Sequence, residues 1–158
     1  MKQYPPRVRI KMSDHFPDIV VPDFIFNVAF CTMVSHGAKE ALEQHSEALI
    51  EFLPFTLLNH KGRVAAAECF IANVLTTVDC ADTTRTVGVP SQMSPGTYLE
   101  INRLELDEAK IPPTARLFRL KQLPSAMVVR EDLRAQLSAR GLTGLAFVET
   151  GEDCDLRD

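Results

Sequence analysis

The 158-residue chain lacks several things that particular functions need, and each shortage removes a class of function. Its seven glycines are scattered, with no G-x-G-x-x-G and no G-x-x-x-x-G-K, so the sequence offers no cradle for nucleotide phosphates. No G-x-S-x-G turn occurs. Ser91 and Ser94 lack flanking glycines and the four histidines are dispersed, so no nucleophile with a nearby base is legible. The cysteines, Cys31, Cys69, Cys80 and Cys154, form no C-x-x-C pair and match no zinc spacing. There is no basic excess. The net charge is −4 and the pI about 5.6, which argues against a direct nucleic-acid binder, since that would need a cationic face to neutralise phosphates. No long apolar run occurs either. Residues 19–34 are interrupted by Pro22, Asp23 and Asn27 and fall short of the about 20 residues a membrane span requires. The first seven residues contain no apolar core of a secretory signal, so the expectation is a cytoplasmic protein with reduced thiols.

What is present is enough apolar material for a core, 46% of the chain. The patterning predicts an α+β fold: a mostly antiparallel sheet with two or three packed helices, as a single domain over residues 1–150. An acidic tail follows over residues 151–158, expected to fray. Arg7-Val8-Arg9-Ile10-Lys11 alternates with period two and reads as a charge-guarded edge strand. Residues 13–34 are undecided, with 23–31 open between a short strand and a buried helix. Ser35 is placed to cap a helix whose face carries Ala38, Ala41, Leu42 and His45. Residues 52–58 and 63–75 read as a hairpin around Asn59-His60-Lys61-Gly62. The return strand should be central, and Pro54 puts the first strand at an edge or a bulge. Residues 83–95 have no period and read as the longest loop, and the conformation of 83–97 stays open.

The last third is the most legible. A strand over residues 98–106 changes apolar parity near Asn102, which calls for a bulge or a break. Strands at 117–120 and 126–129 lead into a helix over 131–140 with Leu133 and Leu137 inward. Gly141 closes it, and a last strand runs through Leu145 and Phe147.

The candidate chemistry is thin. Asp79, Cys80 and Asp82 are the one dense set of metal-ligand types, and turn capping by the two Asp residues is the simpler reading. Glu105, Asp107 and Glu108 form an acidic run that would need burial to act as general acid and base; an exposed rim of a binding face is the simpler role. His45 lies on an apolar helix face, His60 in a turn where it should be solvated, His36 at a helix start and His15 in a loop. The residues therefore point to binding, with no catalytic, cofactor-binding or metal-ligating set. A small hydrolase or transferase assembled in space from His45, Cys80 or the Glu105–Glu108 run is the first alternative, and a generic adaptor domain the second. Loops carry recognition more often than strands, so Arg85 and Gln92 join Glu105, Asp107 and Glu108 as the partner-binding candidates. Homodimerisation is open through the edge strand that contains Pro54.

One resemblance sharpens this. The series Leu104-Glu105-Leu106-Asp107-Glu108-Ala109-Lys110-Ile111-Pro112, Leu117-Phe118-Arg119-Leu120-Lys121, Val128-Val129-Arg130-Glu131-Asp132-Leu133 and Gly141-Leu142-Thr143-Gly144-Leu145-Ala146-Phe147 resembles the immunity-protein-eleven family. So does the upstream run Phe70-Ile71-Ala72-Asn73-Val74-Leu75 with Val78-Asp79-Cys80-Ala81-Asp82. The resemblance spans residues 34–147. Arg130 departs from it, standing where the family tends to place a Ser-like cap. The resemblance implies an immunity protein of bacterial polymorphic or type VI-delivered toxins, acting in interbacterial competition. It would sequester a cognate toxin in the cytoplasm, a nuclease among the candidates, and would use no cofactor and no membrane.

Overall fold

The computed structural model describes residues 4–14, 20–27, 29 and 31–157, so His15 and the adjoining part of the 13–17 loop lie outside the described residues. The chain forms two compact units. One comprises Met1–Gln44, Ile50–Asn73 and Leu137–Leu145; the other comprises His45–Leu49, Val74–Gln136 and Ala146–Asp158. In place of one sheet there are three small ones, and the described helices are two.

The first unit is built on a five-stranded sheet from β1 (Val8–Lys11), β2 (Phe24–Ile25), β3 (Met33–Ser35), β4 (Ile50–Leu58) and β5 (Val64–Val74), in the order β1-β4-β5-β3-β2. Within the undecided 23–31 stretch the described residues include a two-residue strand, β2. The β4–β5 hairpin closes as the sequence predicts: Gly62 has φ 74° and donates to the Asn59 carbonyl at 2.9 Å. Met33, Phe55, Leu57 and Cys69 form the core of this sheet. His60 is half-buried with Nδ1 shielded, not solvated as expected of a turn.

Pro54 is a second correction. β4 lies between β1 and β5, so it is not an edge, and the homodimer route through it loses its basis. The proline is tolerated because β1 pairs in parallel only with residues Phe55 to Leu58. The Pro54 carbonyl accepts from the Tyr4 hydroxyl at 3.1 Å. A strand residue's N and O point the same way, so the missing N–H falls where the β1 ladder has stopped.

α1 (His36–His45) starts at the expected cap: Ser35 Oγ accepts from the Ala38 amide at 3.2 Å. That hydroxyl also donates to Asp23 Oδ1 at 2.7 Å. Thr143 donates to Asp23 Oδ2 through its amide at 3.0 Å and its hydroxyl at 2.9 Å, and its carbonyl accepts from the Phe24 amide at 2.9 Å. Burial alone would raise the Asp23 pKa, but these hydrogen bonds outweigh it and hold the carboxyl below its ordinary range. Beside this knot Gly144 has φ 82°, and a Cβ there would overlap the Phe24 carbonyl oxygen. The segment through Leu145 and Phe147 is consequently no ladder strand, contrary to expectation. Its hydrogen bonds at Thr143 go to Asp23 and to Phe24 of β2 instead.

The second unit holds two three-stranded sheets. β6 (Thr77–Val78), β9 (Leu117–Leu120) and β10 (Leu123–Val129) give the order β10-β9-β6. β7 (Val87–Pro90), β8 (Tyr98–Arg103) and β11 (Asp153–Arg157) give the order β11-β8-β7. Ile101, Phe118, Leu120 and Leu123 anchor its core. The expected bulge near Asn102 is present: Val87 pairs with Arg103 and Gly88 with Ile101, leaving Asn102 as the extra residue. Two other readings change. The 83–95 stretch contains β7, so it is not a continuous loop. The acidic tail does not fray, because Cys154 and Leu156 alternate inward onto the core while Asp153, Asp155 and Arg157 face out.

α2 (Glu131–Ala139) buries Leu133 and Leu137 as expected and ends at Gly141 with φ 66°. Its start explains the Arg130 departure. The Arg130 amide donates to the Arg116 carbonyl at 2.9 Å, and its guanidinium makes two 2.7 Å bonds to Asp132 as well as one to the Pro113 carbonyl. The Arg130 bonds depress the Asp132 pKa to about 2. The guanidinium has no acceptor and caps no amide itself; the Asp132 carboxylate that it holds accepts from the Leu133 amide at 2.9 Å.

Gly144→Ala should lower stability by more than about 1–3 kcal/mol, the cost of a non-glycine residue at such a φ, because overlap with Phe24 adds to it. Gly62→Ala meets nothing within 4 Å and should lose only the conformational part. Urea midpoints at unchanged m value separate the two.

Candidate partner-binding face

The acidity of the protein is concentrated in the second unit. It has 14 Asp and Glu residues against nine Lys and Arg, a net of −5, whereas the first unit has seven against eight, a net of +1. Within the second unit two distant segments meet. Ala81 pairs with Leu106 in an antiparallel bridge, flanked by the Asp82 amide on the Glu105 carbonyl at 2.9 Å and the Asp107 amide on the Cys80 carbonyl at 2.8 Å. Backbone pairing of 80–82 with 105–107 therefore brings the acidic run beside Arg85.

Asp82 organises the turn that leaves this bridge. Its Oδ1 accepts from the Thr84 amide at 3.0 Å and hydroxyl at 2.6 Å, and its Oδ2 accepts from Arg85 Nε at 2.6 Å. The Thr84 and Arg85 hydrogen bonds hold the Asp82 carboxyl far below its ordinary pKa. Arg85 then reaches Glu105 Oε2 at 3.7 Å and the Leu106 carbonyl at 3.4 Å. Thr86 Oγ1 donates to the Glu105 carbonyl and accepts from the Glu105 amide, both at 3.1 Å. Asp107 pairs with Lys110 at 3.1 Å, and Asp79 with Lys121 at 2.7 Å while also accepting from Gln122. The result is a ridge of five acidic side chains (Asp79, Asp82, Glu105, Asp107 and Glu108) with three basic ones inserted.

Of the five residues singled out in the sequence, Arg85, Glu105 and Asp107 come together. Glu108 is exposed at the start of a single 3₁₀ turn, Glu108–Lys110, at the end of the same ridge. Gln92 is exposed in the β7–β8 connection and takes no part in the ridge bonds. Sequence reading missed Asp82 as the organiser and Lys110 and Lys121 as its neighbours. The Asp-x-Thr-Arg spacing was the available signal, since Asp side chains commonly bind the backbone two residues on.

The backbone pairing sets Cys80 of the enzymatic alternative beside the 105–107 run. Cys80 is fully buried, and burial, with Asp79 and Asp107 nearby, pushes its thiol up to about 11, so it is protonated at neutral pH and not a nucleophile. All four cysteines are free thiols. Among the described residues no cluster of three His, Cys, Asp or Glu side chains has metal-binding geometry, and no helix is long and apolar enough to cross a membrane.

The Asp82 bonds carry a pH signature. Its folded-state pKa lies below its ordinary value of 3.8, so the stabilisation is complete above that value and is lost as pH falls through the folded-state pKa. The difference in melting temperature between the wild type and Asp82→Asn should be constant above about pH 5 and close progressively below it.

No curated protein is similar enough in sequence to match the chain. A family model does match it, over residues 1–152, which reaches further toward both ends than the resemblance over residues 34–147. With nearly its whole length matched, the chain belongs to the Immunity protein family (Imm11).

Proposed function

We propose that this protein binds a cognate antibacterial toxin in the cytoplasm and neutralises it by occluding its active site or substrate groove, using the second unit's acidic ridge as part of the contact. Membership of an immunity family supports the role. The observation that carries the choice of surface is the segregation of charge, net −5 on one unit and +1 on the other. An acidic face steers a basic partner and accelerates its approach. Toxins that handle nucleic acid have basic grooves, so a nuclease suits this face. The protein contributes no chemistry of its own in this reading: Asp79, Asp82, Glu105 and Asp107 are engaged by Arg85, Lys110 and Lys121 and present charge in fixed positions. The setting would be interbacterial competition, with the toxin delivered by type VI secretion or a related route.

Expression of the toxin encoded beside this protein should kill cells, and co-expression of this protein should restore growth. Failure of rescue with both proteins soluble would remove the proposal. In vitro, Glu108→Lys should slow association by roughly three- to tenfold at low salt and flatten its salt dependence, with little change in dissociation, as for a rim charge. Stopped-flow mixing at two ionic strengths reads both.

A further inference from the structure

The sheet containing β7 has two edges, and they differ. β11 carries Asp153, Asp155 and Arg157 outward, an alternation of charge that guards an edge against pairing with another chain. β7 reads Val87-Gly88-Val89-Pro90 and has no charged residue. Val87 is 47% exposed and Val89 46% exposed, on the same face by strand alternation. Pro90 limits the free edge at one end. At the other, Thr86 is locked to Glu105 and joins the edge to the acidic ridge.

The edge is held in place rather than loose. A Cβ at Gly88 would overlap the Glu100 carbonyl oxygen, so the glycine lets β7 lie close against β8. Two residues of β8, Leu99 and Asn102, are extra relative to β7, and bulges of this kind bend a strand and re-aim its side chains. Leu99 is accordingly turned out, 53% exposed.

We infer that β7 is a docking strand for an extended, basic-flanked segment of the toxin, which adds to the sheet at the Val87–Val89 edge and sets its Lys or Arg residues against Asp82, Glu105 and Asp107. The inference rests on the proposed immunity role and specifies its interface. Main-chain hydrogen bonds would supply affinity, and contact with Val87 and Val89 specificity, as in other strand additions. Charge decides the occupant. A second copy of this chain would bring another unit of net −5 to the same edge and be repelled, whereas a basic segment is attracted.

The test uses the full chain and the toxin domain encoded beside it. Hydrogen exchange of the complex should show new protection at the amides of Val87–Val89, and Val87→Lys/Val89→Lys should weaken binding at least tenfold with the melting temperature retained. Wild-type affinity in that variant, or a complex without protection at β7, overturns the inference while leaving the immunity role intact. Absence of any complex with the wild type overturns both. Sedimentation that shows a dimer abolished by the variant, with toxin binding unchanged, assigns the edge to self-association and overturns it as well.

Discussion

Asp82 is held from two directions. Its amide is fixed to the Glu105 carbonyl by the pairing of 80–82 with 105–107, and its carboxylate fixes Thr84 and Arg85 in return. That side chain orients the turn after residue 82 and aims Arg85 at Glu105, while the Asp82 carbonyl accepts from the Thr86 amide at 2.8 Å before β7. The fully buried Cys80 and nearly buried Ala81 beside it anchor the pairing in the core. Remove the Asp82 carboxylate, and the turn loses its Thr84 bonds and Arg85 its shortest contact, while Thr86 keeps its bonds to Glu105. An exposed ion pair contributes little stability in isolation; here its consequence is placement, because several hydrogen bonds share one acceptor.

The first unit shows the same strategy at a different carboxylate. Asp23 gathers Ser35 and Thr143, residues far apart in sequence, and so ties the start of α1 and the segment after α2 to β2. Each unit thus uses one aspartate to fasten a region with little regular structure. The two units differ in charge: the first is near neutrality, and the second carries the acidity.

Much of this was legible because it depends on local patterns. The Ser35 cap, the Gly62 turn, the bulge at Asn102 and the Leu133–Leu137 face each follow from residues within a few positions of one another. The errors share a cause in non-local pairing. Pro54 reads as an edge until the short reach of β1 is known. The acidic tail reads as frayed until β8 is seen to accept it. β7 was hidden because a four-residue strand with Gly and Pro resembles a loop. For the face itself, Arg85 and the acidic run were selected separately, and their meeting depends on a backbone bridge that no sequence spacing encodes. Gln92, chosen from the same loop, shares only its chain position.

Thr86 links the acidic ridge to the uncharged β7 edge within the second unit, and it is there that we propose the toxin is met. The most direct measurement is an amide chemical-shift map of the full chain titrated with its cognate toxin domain. Toxin binding at this face should concentrate the shifts at residues 82–89 and 104–108. Shifts confined to the five-stranded sheet of the first unit, with those residues unmoved, would contradict it.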